Sequence, residues 1–96
     1  MENDRHPFSL EGKHAVLIGG GGAIGSAVAI GMSEAGALVA VCDLSLEKAT
    51  STLEHIRSEG GEGTTHEVDA LSKTSLLAAR NAILENHARV DILVNL

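Results

Sequence analysis

The chain has 96 residues, which is enough for one compact core and too few for two domains. It is 44% hydrophobic with one Phe and no Tyr or Trp, so its core must be built from Val, Ile, Leu and Ala, as is typical of parallel strands covered by helices. The formal net charge of −6 argues against nucleic acid as the main partner, because that interaction needs a basic surface.

The patterns of cysteine, histidine and hydropathy exclude further classes of protein. The single cysteine, Cys42, rules out an internal disulfide and indicates a small core residue. The five histidines have no paired spacing on one helix face, so we expect isolated surface or edge residues and no metal site. The polar start of the chain has no apolar signal core, and no apolar run approaches the roughly 18 residues that cross a bilayer. We therefore expect a cytoplasmic protein with no membrane partner.

The first part of the chain predicts a lead-in, a strand and a helix. Residues 1–11 form a polar lead-in that ends at a Glu-Gly turn. An apolar strand is predicted over residues 14–18, and a helix over residues 24–35 that Gly36 ends. Helical spacing predicts one buried stripe on this helix, which consists of Ile24, Val28, Met32 and Ala35.

The middle of the chain repeats this pattern. A fully apolar strand over residues 38–42 is followed by Asp43, and Ser45 is a suitable N-cap for a second helix. The inner face of that helix is predicted to consist of Ala49, Leu53 and Ile56. A more polar third strand over residues 64–68 is predicted nearer the sheet edge and is followed by Asp69.

The last part of the chain predicts a third helix and a fourth strand. Ser72 is a suitable N-cap for a helix that runs to about His87, and the strand covers residues 90–94. The inward face of the helix is predicted to contain Leu76, Ala79 and Ile83, with Leu84 as a further candidate. Because strands and helices alternate with short loops, we expect right-handed crossovers and a parallel sheet. The prediction is a single α/β domain over residues 1–96, a doubly wound parallel sheet with strand order 3-2-1-4.

Five of the seven residues from 19 to 25 are glycine, and they lie between the first strand and the first helix. Gly20, Gly22 and Gly25 satisfy the spacing G-x-G-x-x-G of a dinucleotide-binding turn. A backbone without Cβ atoms lets a diphosphate approach, and the N-terminus of the next helix points N–H groups at it. The alternative is a tight turn where a helix packs closely on a sheet. We favour dinucleotide binding because an acid also ends the next strand.

That acid is Asp43. A carboxylate at this position can accept both hydroxyls of an adenosine ribose and would repel a 2′-phosphate. Neither Leu44 nor Ser45 offers a basic side chain for such a phosphate. The alternative is an Asx turn that leads into the next helix. The sequence therefore predicts NAD in preference to NADP.

Several segments resemble the short-chain dehydrogenase/reductase family, whose members have a Rossmann fold. Residues 10–19, LEGKHAVLIG, resemble the family's opening strand, L-x-G-K-x-A-x-V-T-G, and residues 19–25 fit its T-G-x-x-x-G-I-G turn. Asp69 stands where the family has an acid that contacts the adenine amino group. Residues 90–95, VDILVN, match the start of the family's D-I-L-V-N-N-A-G segment. The resemblance covers residues 10–96.

The resemblance implies a diphosphate over the glycine turn, a ribose on Asp43, adenine against Asp69 and Ala70, and Asn95 near the adenosine-side ribose. The complete set of predicted cofactor-binding residues is Gly19, Gly22, Ala23, Ile24, Gly25, Asp43, Leu44, Asp69, Ala70 and Asn95. The family also implies a small-molecule alcohol or carbonyl substrate and a homo-oligomer, either a dimer or a tetramer.

The chain departs from the family pattern at several positions, including His87 and Ala88, which replace a frequent Phe-Gly before the fourth strand. Ile18 replaces a Thr, Ala23 replaces the middle glycine of the turn, and Leu96 replaces the second Asn. The family's reaction uses a Ser, together with a Tyr and a Lys in a Y-x-x-x-K arrangement, whereas this chain contains no tyrosine. We therefore predict no catalytic residue in this chain and expect the truncated, NAD-binding half of a longer oxidoreductase.

Two other functions stay open. One is a stand-alone dinucleotide-binding or regulatory module, which would need no catalytic residues. The other is a methyltransferase, which also has a glycine loop and an acid after its second strand. Methyltransferases usually have an acid just before the loop, where this chain has Leu17 and Ile18, so we rank this function below the others.

Overall fold

The computed structural model describes residues 8–96, and the part of the lead-in before Phe8 lies outside the described residues. The elements are β1 (His14–Ile18), α1 (Ala23–Glu34), β2 (Leu38–Asp43), α2 (Leu46–Ser58), β3 (Gly63–Glu67), α3 (Lys73–Asn86) and β4 (Ile92–Asn95). The four strands form one parallel sheet in the order β3-β2-β1-β4, which confirms the predicted topology and the edge position of the third strand. Within residues 8–96, no helix has the length and apolar character needed to span a bilayer.

The sheet has a separate apolar cluster on each face, because successive side chains of a strand point to opposite sides. The cluster on the α1 and α2 face consists of Ala15, Leu17, Ala29, Ala37, Val39, Val41, Ala49, Leu53 and Ile56. The cluster on the α3 face consists of Val16, Ala40, Cys42, Val68, Ala79 and Ile83. Two helices therefore cover one face and a single helix covers the other.

The predicted N-caps of α2 and α3 are confirmed. The Oγ of Ser45 accepts the N–H of Lys48 at 3.2 Å, and the Oγ of Ser72 accepts the N–H of Ser75 at 3.1 Å. Each cap satisfies one of the N–H groups that have no acceptor within the helix. The predicted inner face of α2 is buried as well.

Cys42 is a core residue, as expected, and is only 1% exposed. Burial raises the pKa of its thiol to about 11, so the thiol stays protonated at neutral pH. The described end of the lead-in is docked on the domain. The N–H of Leu10 donates to the carbonyl oxygen of Ala35 at 2.7 Å, and its side chain packs against the cluster on the α1 and α2 face.

The buried stripe predicted for α1 is wrong at its first residue. Ile24 is 74% exposed, whereas the buried residues of the helix are Gly25 and Ala29. The helix approaches the sheet through these small residues, and this orientation turns Ile24 toward solvent. Val28 and Met32 are partly buried against the same cluster.

The inward face predicted for α3 is also only partly correct. Ala79 and Ile83 are buried, but Leu76 is 37% and Leu84 is 51% exposed. These two leucines border an open apolar groove of about 240 Å³ between α3 and the β4 side of the sheet. The groove exists because α3 packs against β3 and leaves the β4 side uncovered. Val90, expected in the fourth strand, precedes β4 and also lines the groove.

Candidate functional site

The carboxyl ends of β1, β2 and β4 lie side by side. Ile18 of β1 is in register with Cys42 on one side and with Asn95 on the other. The N–H groups of Gly19 and Gly20 both donate to the carbonyl oxygen of Cys42, at 2.8 and 2.9 Å. These bonds bend the chain from β1 toward the end of β2, so the glycine turn lies beside the second strand.

The geometry of the turn shows which glycines are required. Gly19 has a φ of +93°, which side chains rarely adopt, and a Cβ on Gly25 would collide with the carbonyl oxygen of Gly19. A Cβ on Gly21 would lie 2.7 Å from the Cβ of Lys48. Gly22 has space, since its nearest neighbour would be 3.7 Å away. A Cβ on Gly20 would lie 2.9 Å from the side chain of Val41. The turn therefore depends on Gly19 and Gly25, as in the family pattern, and also on Gly20 and Gly21, but not on Gly22.

The first turn of α1 has neither a side-chain cap nor an acidic residue. The N-cap residue is Gly22. The N–H groups of Ala23, Ile24 and Gly25 belong to the first turn of the helix, where an N–H has no intrahelical acceptor. The positive end of the helix dipole adds to their attraction for an anion.

Asp43 connects the end of β2 to the glycine turn. Its Oδ2 accepts the N–H of Gly21 at 2.9 Å, and its Oδ1 accepts the N–H of Ser45 at 2.9 Å. The Asx turn considered from the sequence is therefore present, together with a second bond that holds the turn. Each carboxylate oxygen still has a lone pair for another donor. The next side chain, Leu44, is 68% exposed.

Asp69 follows β3, the outer strand beside β2, at the same carboxyl end of the sheet. The N–H of Val68 donates to the carbonyl oxygen of Asp43 at 2.9 Å, which keeps the chain after β3 close to β2. The Oδ1 of Asp69 accepts the N–H of Leu71 at 3.0 Å. Asp69 and Ala70 are both exposed.

The structure thus places all the predicted site residues at the carboxyl end of the sheet, which is called the carboxyl edge below. Asp69 and Asn95 are at its two ends, because β3 and β4 are the outer strands. Three strand spacings separate these ends, or about 14 Å. The turn and Asp43 lie between them. The edge can therefore accommodate an extended ligand.

Sequence reasoning missed one residue that supports the turn. The hydroxyl of Thr52, on α2, donates to the carbonyl oxygen of Gly20 at 3.0 Å, and this side chain is 4% exposed. A threonine within a helix carries no sequence signal for such a bond. Thr52 thus holds the backbone of the glycine turn in position.

The expectation of isolated histidines is wrong for three of them. The Nδ1 of His14 is hydrogen-bonded directly to the Nδ1 of His87, and the hydroxyl of Thr64 links His87 to His66. His66 and His87 are buried. Their positions in the sequence are too far apart for any helical spacing to indicate the contact. Among residues 8–96, no three His, Cys, Asp or Glu side chains are arranged to hold a metal ion.

Comparison with known proteins identifies the family. The profile of the short chain dehydrogenase family matches residues 13–96. The 7alpha-hydroxysteroid dehydrogenase of Escherichia coli is 35% identical over 86 residues, which are 90% of this chain and 34% of that protein. A short-chain dehydrogenase/reductase homolog of Bacillus subtilis, YusS, is 36% identical over 84 residues, which are 86% of this chain and 77% of that protein.

Solved structures agree with the sequence matches. A 7 alpha-hydroxysteroid dehydrogenase complexed with NADH and 7-oxo glycochenodeoxycholic acid superimposes with a TM-score of 0.91 at 34% identity, over 99% of this chain and 37% of that chain. Other matched structures hold NAD in one case and NADP in another. The chain spans about a third of the length of the relatives it matches first. These findings show that the chain belongs to the short-chain dehydrogenase family.

Proposed function

We propose that this chain is the NAD-binding portion of an oxidoreductase that moves a hydride between nicotinamide and an alcohol or carbonyl substrate. The observation that carries the proposal is the 2.9 Å hydrogen bond from the N–H of Gly21 to the Oδ2 of Asp43. This bond joins a bare glycine turn to the carboxylate after β2. A cradle for a diphosphate and an acceptor for a ribose therefore form one unit.

In this proposal the diphosphate lies against the backbone of Gly19 and Gly22 and accepts the N–H groups of Ala23, Ile24 and Gly25. No acidic side chain in the first turn of α1 opposes the negative charge. The methyl group of Ala23, where the family pattern has glycine, is exposed and does not crowd the turn.

The adenosine ribose binds to Asp43 through the lone pairs that the two backbone bonds leave free. The exposed side chain of Leu44 gives an apolar surface beside it. The adenine then lies against Asp69 and Ala70, on the side of the edge toward β3.

The preference for NAD rests on charge. A 2′-phosphate on the ribose would lie beside the carboxylate of Asp43 and would be repelled. The opposing influence is the positive charge of Lys48, which lines the same cavity as Gly21 and Gly22. The ratio of the NAD and NADP affinities therefore shows whether repulsion of the 2′-phosphate by Asp43 outweighs its attraction by Lys48.

In this proposal the chain binds NAD and orients it. Bound NAD supplies the hydride acceptor or, when reduced, the hydride donor. Asn95, at the opposite end of the edge from Asp69, is proposed to lie near the adenosine-side ribose. Because the chain has no tyrosine and spans about a third of its first relatives, we propose that a longer protein supplies the groups that exchange a proton with the substrate.

Isothermal titration calorimetry with NAD and NADP tests the proposal. We expect NAD to bind about tenfold more tightly than NADP, and Asp43→Asn to reduce NAD affinity by about tenfold while narrowing that ratio. S-adenosylmethionine, the methyltransferase cofactor, is the negative control ligand. Glu54→Gln, on the exposed face of α2, is the control variant and should change neither affinity. Tighter binding of NADP than of NAD would contradict the NAD preference. Binding of S-adenosylmethionine without binding of either dinucleotide would contradict the proposed oxidoreductase function.

The matched protein YusS favours a second candidate, a dinucleotide-binding module without catalysis. This chain covers 77% of that protein, so the family includes a chain of similar length. The two candidates differ in one observable. Purification of the protein from its natural source, followed by intact mass measurement, gives a mass well above 9.9 kDa for the oxidoreductase and a mass near 9.9 kDa for the module.

We also propose that the protein is cytoplasmic and that it forms a homo-oligomer, either a dimer or a tetramer. Cell fractionation tests the first, and sedimentation velocity of the natural protein tests the second. A monomer at micromolar concentration would contradict the homo-oligomer.

A further inference from the structure

A partly buried series of hydrogen bonds crosses the α3 face of the sheet. The Nδ1 of His14 lies 2.9 Å from the Nδ1 of His87, whose Nε2 lies 3.0 Å from the Oγ1 of Thr64. The same Oγ1 lies 2.8 Å from the Nε2 of His66. These four side chains come from β1, from β3 and from the residue that follows α3, so the series connects the end of this helix to two strands.

The contact between His14 and His87 limits how many of these two imidazoles can be protonated at once. A neutral imidazole has one N–H donor and one acceptor nitrogen. The contact between the Nδ1 atoms of His14 and His87 therefore holds one proton, which either residue can donate. If one of the two imidazoles becomes charged, the contact is still satisfied. If both become charged, two N–H groups face each other and the contact must break.

Little around the series can neutralise a second charge. The titratable and charged groups nearest to it, besides its own three histidines, are Lys13, Cys42, Arg89 and Asp91. The carboxylate of Asp91 is already engaged, since its Oδ2 accepts the N–H of His14 at 2.8 Å and its Oδ1 accepts the Nε–H of Arg89 at 2.9 Å. Two of the other groups are cations, and Cys42 is a neutral thiol.

We propose that His14, His87, Thr64 and His66 form an acid-sensitive latch, which holds the C-terminal end of α3 on the sheet at neutral pH and releases it when His14 and His87 are both protonated. The last backbone bond of the helix, from the N–H of His87 to the carbonyl oxygen of Ile83 at 2.8 Å, is then free to open. Release would expose apolar residues that the helix end buries against the sheet, including its own Ile83. This inference does not depend on dinucleotide binding.

The direction of the pH effect follows from burial. Burial is the main cause that lowers the pKa of both His66 and His87, and the neighbouring histidines lower the pKa of His87 further. The opened state, in which these imidazoles are hydrated, therefore binds more protons than the closed state. Closure of the latch is complete above the ordinary histidine pKa of 6.5 and is lost as the pH falls through the lowered values.

Amide hydrogen exchange measured by NMR tests the latch. After correction for intrinsic exchange chemistry, the opening constant of the His87 amide should rise at least tenfold between about pH 7.5 and about pH 5.5, while that of Ile56 in α2 changes less than about twofold. His14→Gln keeps a hydrogen-bonding partner but removes the second charge, so the rise should shrink to less than about threefold. His55→Gln is the matched control, because His55 is exposed on α2, away from the latch, and its Nε2 lies 3.4 Å from a carboxylate oxygen of Glu59.

A flat opening constant for the wild-type His87 amide would overturn the proposal, and so would an unchanged rise in His14→Gln. A second measurement needs no variant. The imidazole Cε1–H signal of His87 should titrate below the ordinary histidine pKa of 6.5. Titration of the His87 signal at or above pH 6.5 would also overturn the latch.

Discussion

The buried hydroxyl of Thr52 donates a 3.0 Å hydrogen bond to the carbonyl oxygen of Gly20, which lies 32 residues earlier in the chain. This bond ties the middle of α2 to the glycine turn. At the next residue of the turn, Asp43 accepts the N–H of Gly21. The conformation of the turn is thus fixed by two side chains from outside it, before any ligand binds.

Thr52→Val should lower the free energy of unfolding by about 1 kcal/mol, because the carbonyl oxygen of Gly20 loses a buried donor. The expected loss is measured by urea denaturation followed by circular dichroism. Thr50→Val is the matched control, since Thr50 is exposed on the same helix, and it should change stability by less than about 0.5 kcal/mol. Equal effects of the two substitutions would contradict the role given to Thr52.

Two glycines of α1 should respond to alanine in opposite directions. Gly25→Ala should destabilise the fold by about 1–3 kcal/mol, because the new Cβ collides with the backbone of Gly19. Gly31→Ala should stabilise it by about 0.5–1 kcal/mol, since this exposed helical position has open space and alanine has the higher helix propensity. Thermal unfolding of the two variants, measured side by side, tests the packing of α1. A stabilising Gly25→Ala would show that the helix lies farther from the turn.

Ser45→Ala should destabilise the chain by about 1 kcal/mol, because the N–H of Lys48 loses its capping acceptor. Ser51→Ala, at an exposed interior position of α2, should be neutral or slightly stabilising. Helix content by circular dichroism and the urea midpoint give the two readouts. If the two variants lose the same stability, the loss does not come from the cap.

Asp91 gives a prediction at low pH. Its pKa is held below the ordinary value of 3.8, first by the backbone hydrogen bond from His14 and then by the bond from Arg89. The folded state therefore gains stability from the ionised form above the unfolded pKa, and this gain is lost as the pH falls through the lower, folded pKa. We expect Asp91→Asn to lower the urea midpoint at about pH 6 and to have little effect at about pH 2.5. A penalty that is equally large at both values would mean that packing, not charge, explains it.

The alternation of strands and helices, the strand order and the two serine caps could all be predicted from the sequence. They depend on local periodicity and on residue types that act within one or two turns. Asp43 could also be predicted, because an acid after the second strand of this topology must lie beside the first turn. Its bond to Gly21 adds the reason why the turn keeps its shape.

What the sequence could not predict depends on contacts between distant residues. The partners His14 and His87 are separated by 73 positions, and neither lies in a recognisable motif. The exposure of Ile24 follows from the close contact of Gly25 with Gly19, which changes which face of α1 is buried. Leu76 and Leu84 have helical spacing for burial, yet α3 does not extend over the part of the sheet that they border.

The most direct test of the proposed function is a titration of the ¹⁵N-labelled protein with NAD, followed through its amide NMR signals. We expect the largest changes at Gly19, Gly21, Ile24 and Gly25 and at the residues after β2, with smaller changes near Asp69. The amide signals of residues at the α3 groove, such as Ile83 and Leu84, should not shift. Changes confined to that groove, or no changes with NAD at millimolar concentration, would contradict a dinucleotide site at the carboxyl edge of the sheet.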